Sequence, residues 1–158
     1  TLPAPMLTGL LALTSALLLL LLPHIRDRHG ITIRAQRIGY ALMAITALWL
    51  PLAGAVLITR FAAYHFEVLA HHCPWCLFLP EHRLVGYPLL AAFIILATEA
   101  PIPWLAGRLA LSYPQTLAAA VRRLKQVPIR MVIALVIYWL VGGLPVLAWR
   151  LRYGVWMG

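Results

Sequence analysis

The chain has 158 residues, a length that suits one domain, with 63% hydrophobic and only 11% charged side chains. Soluble globular domains carry roughly a quarter charged residues, so this composition excludes that class and points to membrane helices. The formal net charge of +9 does not read as a nucleic-acid footprint. The basic residues stand between apolar runs, as in loops facing the cytoplasm and anionic lipid, so no nucleic-acid partner is expected.

The first apolar run extends from Leu2 to Ile25 without a formal charge and includes an unbroken leucine run over 17–22. It lacks preceding basic residues and exceeds the ~7–15 residues of a signal core, so it reads as a first membrane helix over about 3–23. A basic loop follows with Arg26, Arg28, Arg34 and Arg37 against Asp27. The second span is expected over 38–59, kinked at Pro51, with Arg60 snorkelling at the far interface and Tyr64 in the aromatic belt. The third span is expected over 84–107. Glu99 then stands at membrane depth, or at the inner interface if the helix breaks at Ala100-Pro101. As the one acid placed within a span, Glu99 is a candidate intramembrane acid. A short amphipathic helix lying on the membrane surface is expected over 114–125, and a fourth span over 131–149 carrying Gly142-Gly143 and Pro145. Trp104, Trp149 and Trp156 read as interface anchors. The expected fold is therefore an all-α integral membrane protein, a single domain over 1–158 with four transmembrane helices.

Lys and Arg set the orientation. The first and third loops hold nine of the 13 basic residues, and the remaining four are Arg60, Arg83, Arg150 and Arg152. The positive-inside rule then puts both termini and the loop between spans 2 and 3 outside the cytoplasm. The expected location is the inner (cytoplasmic) membrane, multi-pass, with that loop on the oxidising side.

Most of the chain's reactive chemistry lies in that loop. It contains both cysteines, in His71-His72-Cys73-Pro74-Trp75-Cys76, and four of the six histidines fall between His65 and His82. Glu67 and Glu81 are there too. A proline at the first helical position would leave Cys73 at an N-cap, where the helix dipole favours a thiolate, and a protonated His72 would favour it further. That is a redox dithiol, with Cys73 and Cys76 catalytic. The same residues also read as a metal set. His71, His72, Cys73 and Cys76, with His65 or His82 as alternatives, suit zinc or copper(I). A haem held by a partner is a third reading, with His65, His82 and Arg83 as cofactor contacts. Covalent c-type haem is excluded because Leu77, not histidine, follows Cys76. The plainest reading is a small structural disulfide.

Four spans and a Cys-Pro-x-Cys placed just before a span resemble the DsbB and vitamin K epoxide reductase families of membrane thiol oxidoreductases. The resemblance implies quinone-coupled thiol–disulfide exchange at Cys73 and Cys76, with Arg83 near the quinone. This chain differs in having one cysteine pair, placed after the second span. The function expected first is a small membrane subunit or accessory protein of an electron-transfer complex. Its loop would bind a metal or contact a redox cofactor held by other subunits or by an extracytoplasmic redox protein. The alternatives are a quinone-coupled thiol oxidoreductase and a purely structural subunit.

Overall fold

In the computed structural model, residues 4–25, 31–68 and 73–156 are described, and among them every regular element is helical. Helix α1 (Ala4–Leu21) ends in a 3-10 turn, Leu22–Ile25. Helix α2 (Ile31–Val56) runs through a π turn, Leu57–Phe61, into α3 (Ala62–Phe66). Two 3-10 turns, Pro74–Phe78 and Pro80–His82, precede α4 (Gly86–Glu99) and α5 (Ile102–Ser112). Helix α6 spans Leu117–Tyr153. Four stretches are long and apolar enough to cross a bilayer: Pro5–Ile25, Ala35–Phe66, Gly86–Ser112 and Pro114–Tyr153. The four-helix membrane architecture expected from composition is thus present.

The helices pack on narrow inward seams. The buried positions of α2 are Ala35, Gly39, Leu42, Thr46, Trp49, Ala53 and Val56, an alternating spacing of four and three. Helix α6 repeats this with Leu124, Pro128, Met131, Leu135, Tyr138 and Gly142. Alternation of three and four is the seam of left-handed, nearly parallel helix packing. Two glycines set how close the helices come. A Cβ on Gly39 would collide with the Trp104 backbone, so α5 lies directly on α2, and one on Gly142 would enter the Phe61 ring. Small residues at such contacts are how membrane helices gain van der Waals packing where lipid removes the hydrophobic incentive to associate.

At mid-bundle a polar knot joins three spans. Ser15 Oγ donates to the Leu11 carbonyl (2.7 Å) and accepts from Trp49 Nε1 (2.8 Å) and Trp139 Nε1 (3.2 Å). A hydroxyl offers one proton and two lone pairs, and here all are used. Around the knot, Trp49 meets Tyr138 edge-on at 4.9 Å and Phe93 at 5.7 Å, which brings in α4. The Tyr138 hydroxyl donates to the Ala53 carbonyl at 2.8 Å.

Prolines act differently in the fourth span, which departs from the sequence expectation, and in the third, which takes the broken form allowed for at Ala100-Pro101. The surface helix over 114–125 and the fourth span form one 37-residue helix, roughly 55 Å long and well beyond a ~30 Å hydrocarbon core. Pro128 sits inside it without ending it, because membrane helices tolerate a missing bond that their neighbours compensate. The third span, in contrast, breaks after Glu99, where Pro101 and Pro103, either side of Ile102, each lack an intrahelical donor.

At that break Glu99 is buried at 3% exposure. Arg123 Nη2 (2.7 Å) and Arg130 Nη1 (3.1 Å), both on α6, donate to its Oε1. The acid expected within a span is therefore neutralised by two guanidiniums at the end of the bundle where α4 gives way to α5, and it ties α4 to α6. Arg130 also reaches Gln126 Oε1 at 3.3 Å.

Removing the knot's acceptor should leave two indole N–H groups unpaired at membrane depth. Ser15→Ala is expected to destabilise the bundle by about 1–3 kcal/mol, read as reduced resistance to denaturation in detergent. Glu99→Ala leaves two arginines facing each other, but because they are a third and a half exposed the expected cost is about 1–2 kcal/mol. Arg130→Ala, at a side chain 52% exposed, should cost at most about 1 kcal/mol.

Candidate functional site

The segment that holds the cysteines is built from two proline-led turns. Cys73 is extended (φ −80°, ψ 106°), as residues before proline prefer, and Pro74 opens the 3-10 turn Pro74–Phe78. Leu79 is extended in the same way before Pro80 (φ −79°, ψ 148°). Its N–H closes the first turn on the Cys76 carbonyl at 3.1 Å. Arg83 and Leu84 then take left-handed backbone (φ 58° and 56°), which reverses the chain into α4. The left-handed region costs a side-chain-bearing residue about 1–3 kcal/mol, so this reversal is held by its surroundings.

Those surroundings are apolar. Leu77 is 1% exposed, and the Phe78 ring lies on Gly86, where a Cβ would collide with it, and edge-on to Tyr87 at 5.1 Å. His82 packs edge-on against Phe66 at 4.4 Å. A cavity of about 210 Å³ beneath the turn is lined by Pro74, Leu77, Phe78, Leu57, Leu89 and Phe93, among others. With Leu77 as anchor, the cysteines are half-exposed on the outer surface, and Trp75 stands out at 76% exposure. Phe78, in contrast, packs on the protein itself.

Side chains three apart eclipse along a 3-10 turn, so a C-x-x-C pair presents both sulfurs on one side. Both cysteines are free thiols and close enough to shift each other's proton affinity. The Cys76 thiol lowers the pKa of Cys73, with smaller help from backbone N–H groups, and the same contact pushes Cys76 up. A lowered Cys73 pKa is the direction expected from a helix dipole, but its cause here is mainly the second sulfur. A five-residue 3-10 turn offers little dipole, since that effect arises from the summed peptides of a longer helix.

The remaining candidates separate. His65 lies on α3 facing α6, its Nε2 3.1 Å from the Val141 carbonyl. That carbonyl is the one Pro145 cannot pair, because the proline four residues on has no N–H. His65 is thus engaged in mending α6, a role signalled in the sequence only by the proline. Arg83 lines a different cavity of about 450 Å³, with Glu67, Tyr64, Trp149, Arg152 and Tyr153. Glu81 is exposed in the second turn, and Glu99 is held by Arg123 and Arg130. His71 and His72 lie outside the described residues. Among the described residues no three Cys, His, Asp or Glu side chains come together in a way that would hold a metal ion. Of the tryptophans read as interface anchors, Trp104 packs α5 onto α2 through Gly39, while Trp149 meets Tyr64 and Tyr153.

No protein-family model, no curated protein and no solved structure shows significant similarity to this chain.

Because its pKa is lowered, Cys73 should react with iodoacetamide at a lower pH than an ordinary thiol, and Cys76 at a higher one. Cys76→Ala removes the neighbouring thiol and should move the Cys73 profile upward, measured by mass spectrometry of the alkylated protein across a pH series.

Proposed function

We propose that this chain is a small membrane subunit or accessory protein of a redox system, and that it acts through the Cys73–Cys76 dithiol by thiol–disulfide exchange. The carrying observation is geometric: two free, half-exposed thiols three residues apart on a proline-led 3-10 turn anchored from beneath by Leu77, with the Cys73 pKa directed down and that of Cys76 up by their mutual contact. In the forward step the Cys73 thiolate attacks a disulfide sulfur of a partner protein, forming a mixed disulfide and releasing one partner thiolate. Cys76, once deprotonated, attacks Cys73 Sγ and releases the second. Two electrons and two protons have then moved to the partner, and Cys73–Cys76 is the disulfide. The reverse sequence oxidises a partner's dithiol. In that direction the pair is reset by an acceptor of two electrons and two protons, which the family resemblance suggests is a quinone reduced to hydroquinone.

The order of roles follows from proton affinity. The sulfur that is more often a thiolate attacks first, and the one that keeps its proton is spared until the mixed disulfide forms. Exposed Trp75 and the apolar cavity beneath the turn give an incoming partner a hydrophobic footing beside the sulfurs. The dithiol segment is proposed to face outside the cytoplasm. The beginning of α1, the cysteine segment and the C-terminal tail share one end of the bundle, as contacts of Arg60 with Thr8 and Trp156 and of Tyr64 with Trp149 require. Arg108, Arg122, Arg123, Lys125 and Arg130 belong to α5 and the first half of α6, toward the other end.

Cys76→Ser should trap a partner on Cys73 as a mixed disulfide, seen as a band of higher mass on non-reducing gels that is absent from Cys73→Ser. A membrane-impermeant thiol reagent should reach both cysteines from outside intact cells. Near-stoichiometric zinc or copper in the purified protein, lost on substitution of either cysteine or of His71 and His72, would overturn exchange in favour of a metal site. Reaction only after the cells are opened would overturn the orientation.

A further inference from the structure

The π turn in α2 places a charge. The seam of α2 steps by four and three through Trp49, Ala53 and Val56, and its next inward position would be residue 60. That residue is Arg60, and a guanidinium there would point into a core with no carboxylate to receive it. The extra residue of the π turn Leu57–Phe61 shifts the seam by one, so Phe61 (2% exposed) and Tyr64 (5%) are buried instead. Arg60 is turned sideways toward α1. Inserted turns of this kind are frequent at functional sites.

Arg60 emerges at a groove of about 410 Å³ between α1 and α6, lined by Phe61, Trp139, Gly143, Leu147 and Trp156 among others. That volume lies within the ~300–1,000 Å³ of small-molecule sites. The walls are hydrocarbon and aromatic, and a Cβ added to Gly143 would meet nothing, so the groove is open along α6. The guanidinium donates to Thr8 Oγ1 at 2.9 Å and lies 5.9 Å from the Trp156 ring, which Arg150 flanks from 5.2 Å. Among the described residues neither arginine has a carboxylate partner: Glu99 is held by Arg123 and Arg130, and Glu67 lines the other cavity. Arg60 at the mouth of the groove, Arg150 beyond Trp156 with one guanidinium nitrogen on the Gly154 carbonyl, an interfacial tryptophan and an apolar channel match an amphiphile with an anionic head. A guanidinium is the cation best shaped to grip a phosphate.

We propose that this groove binds one anionic phospholipid, its phosphate on Arg60 beside Arg150 and one acyl chain along α6 over Gly143. The site is separate from the dithiol and does not depend on the exchange reaction. It would fasten the start of α1 to α6 through the lipid.

The test is native mass spectrometry of the full chain in detergent, titrated with phosphatidylglycerol or with phosphatidylcholine of the same acyl chains. The wild type should bind a single phosphatidylglycerol at least tenfold more tightly than phosphatidylcholine. Arg60→Gln should reduce this preference to near unity, while Arg60→Lys should retain part of it. Gly143→Leu, whose Cβ meets no neighbour and whose side chain would extend into the groove, should lose the bound lipid of either kind without loss of helical content. Equal binding of the two lipids by the wild type, or an undiminished preference in Gly143→Leu, would overturn the proposal. Because Gly143→Leu leaves Arg60 untouched, it remains decisive even if Arg60→Gln does not fold.

Discussion

One serine hydroxyl organises the middle of this protein. In hydrocarbon a polar group has no water to turn to, so indole N–H groups on two helices must find an acceptor on a third. Ser15 accepts from both Trp49 and Trp139 while donating to its own helix. These bonds fix the rotation of α1, α2 and α6 about their axes. The aromatic stack of Trp49, Phe93 and Tyr138 then follows, as does the alignment that sets Gly142 against Phe61. Lipid-facing side chains carry no comparable orientational information, since any apolar group suits an apolar solvent.

Away from the knot, the bundle meets several irregularities in its helices with a side chain from a neighbour. Pro145 leaves the Val141 carbonyl without its intrahelical partner, and His65 approaches it. Pro101 and Pro103 interrupt the third span, and the acid at the break is held by two arginines of α6. The π turn in α2 moves Arg60 out of a core that could not receive it. Histidine, acid and arginine, the residues most readily assigned chemistry in an apolar chain, are here largely occupied with structure. The Cys73–Cys76 pair differs from them. Among the described residues no side chain from another element engages its sulfurs, and they are half-exposed.

The dithiol was legible in the sequence because C-P-x-C encodes its own local geometry. Proline fixes the turn, and a spacing of three puts both sulfurs on one side. Of the histidines grouped around it, the two that are described, His65 and His82, do not join the sulfurs, for a physical reason. Proximity along a chain says little about direction when a helix end, two turns and a left-handed reversal intervene, and His65 and His82 turn to α6 and to Phe66. The origin of the thiol asymmetry was also hidden, because the shortness of the turn that weakens the dipole is a property of the fold. Ser15 carried no signal at all, being one small polar residue in a leucine-rich run.

By itself the sequence determined that the chain is helical, that four of its stretches are long and apolar enough to span a membrane, and where its two thiols lie. Those follow from the length of apolar runs, the placement of charge and the local stereochemistry of proline, none of which needs a second helix. Only the tertiary structure decided which face of each span points inward, that residues 117–153 form one helix, that Glu99 is neutralised, and that Arg60 opens on a groove. In helices apolar on all sides there is no amphipathic contrast to mark the buried seam. That choice is made by a few hydrogen bonds and glycine contacts between helices distant in sequence, which become visible only once they have met.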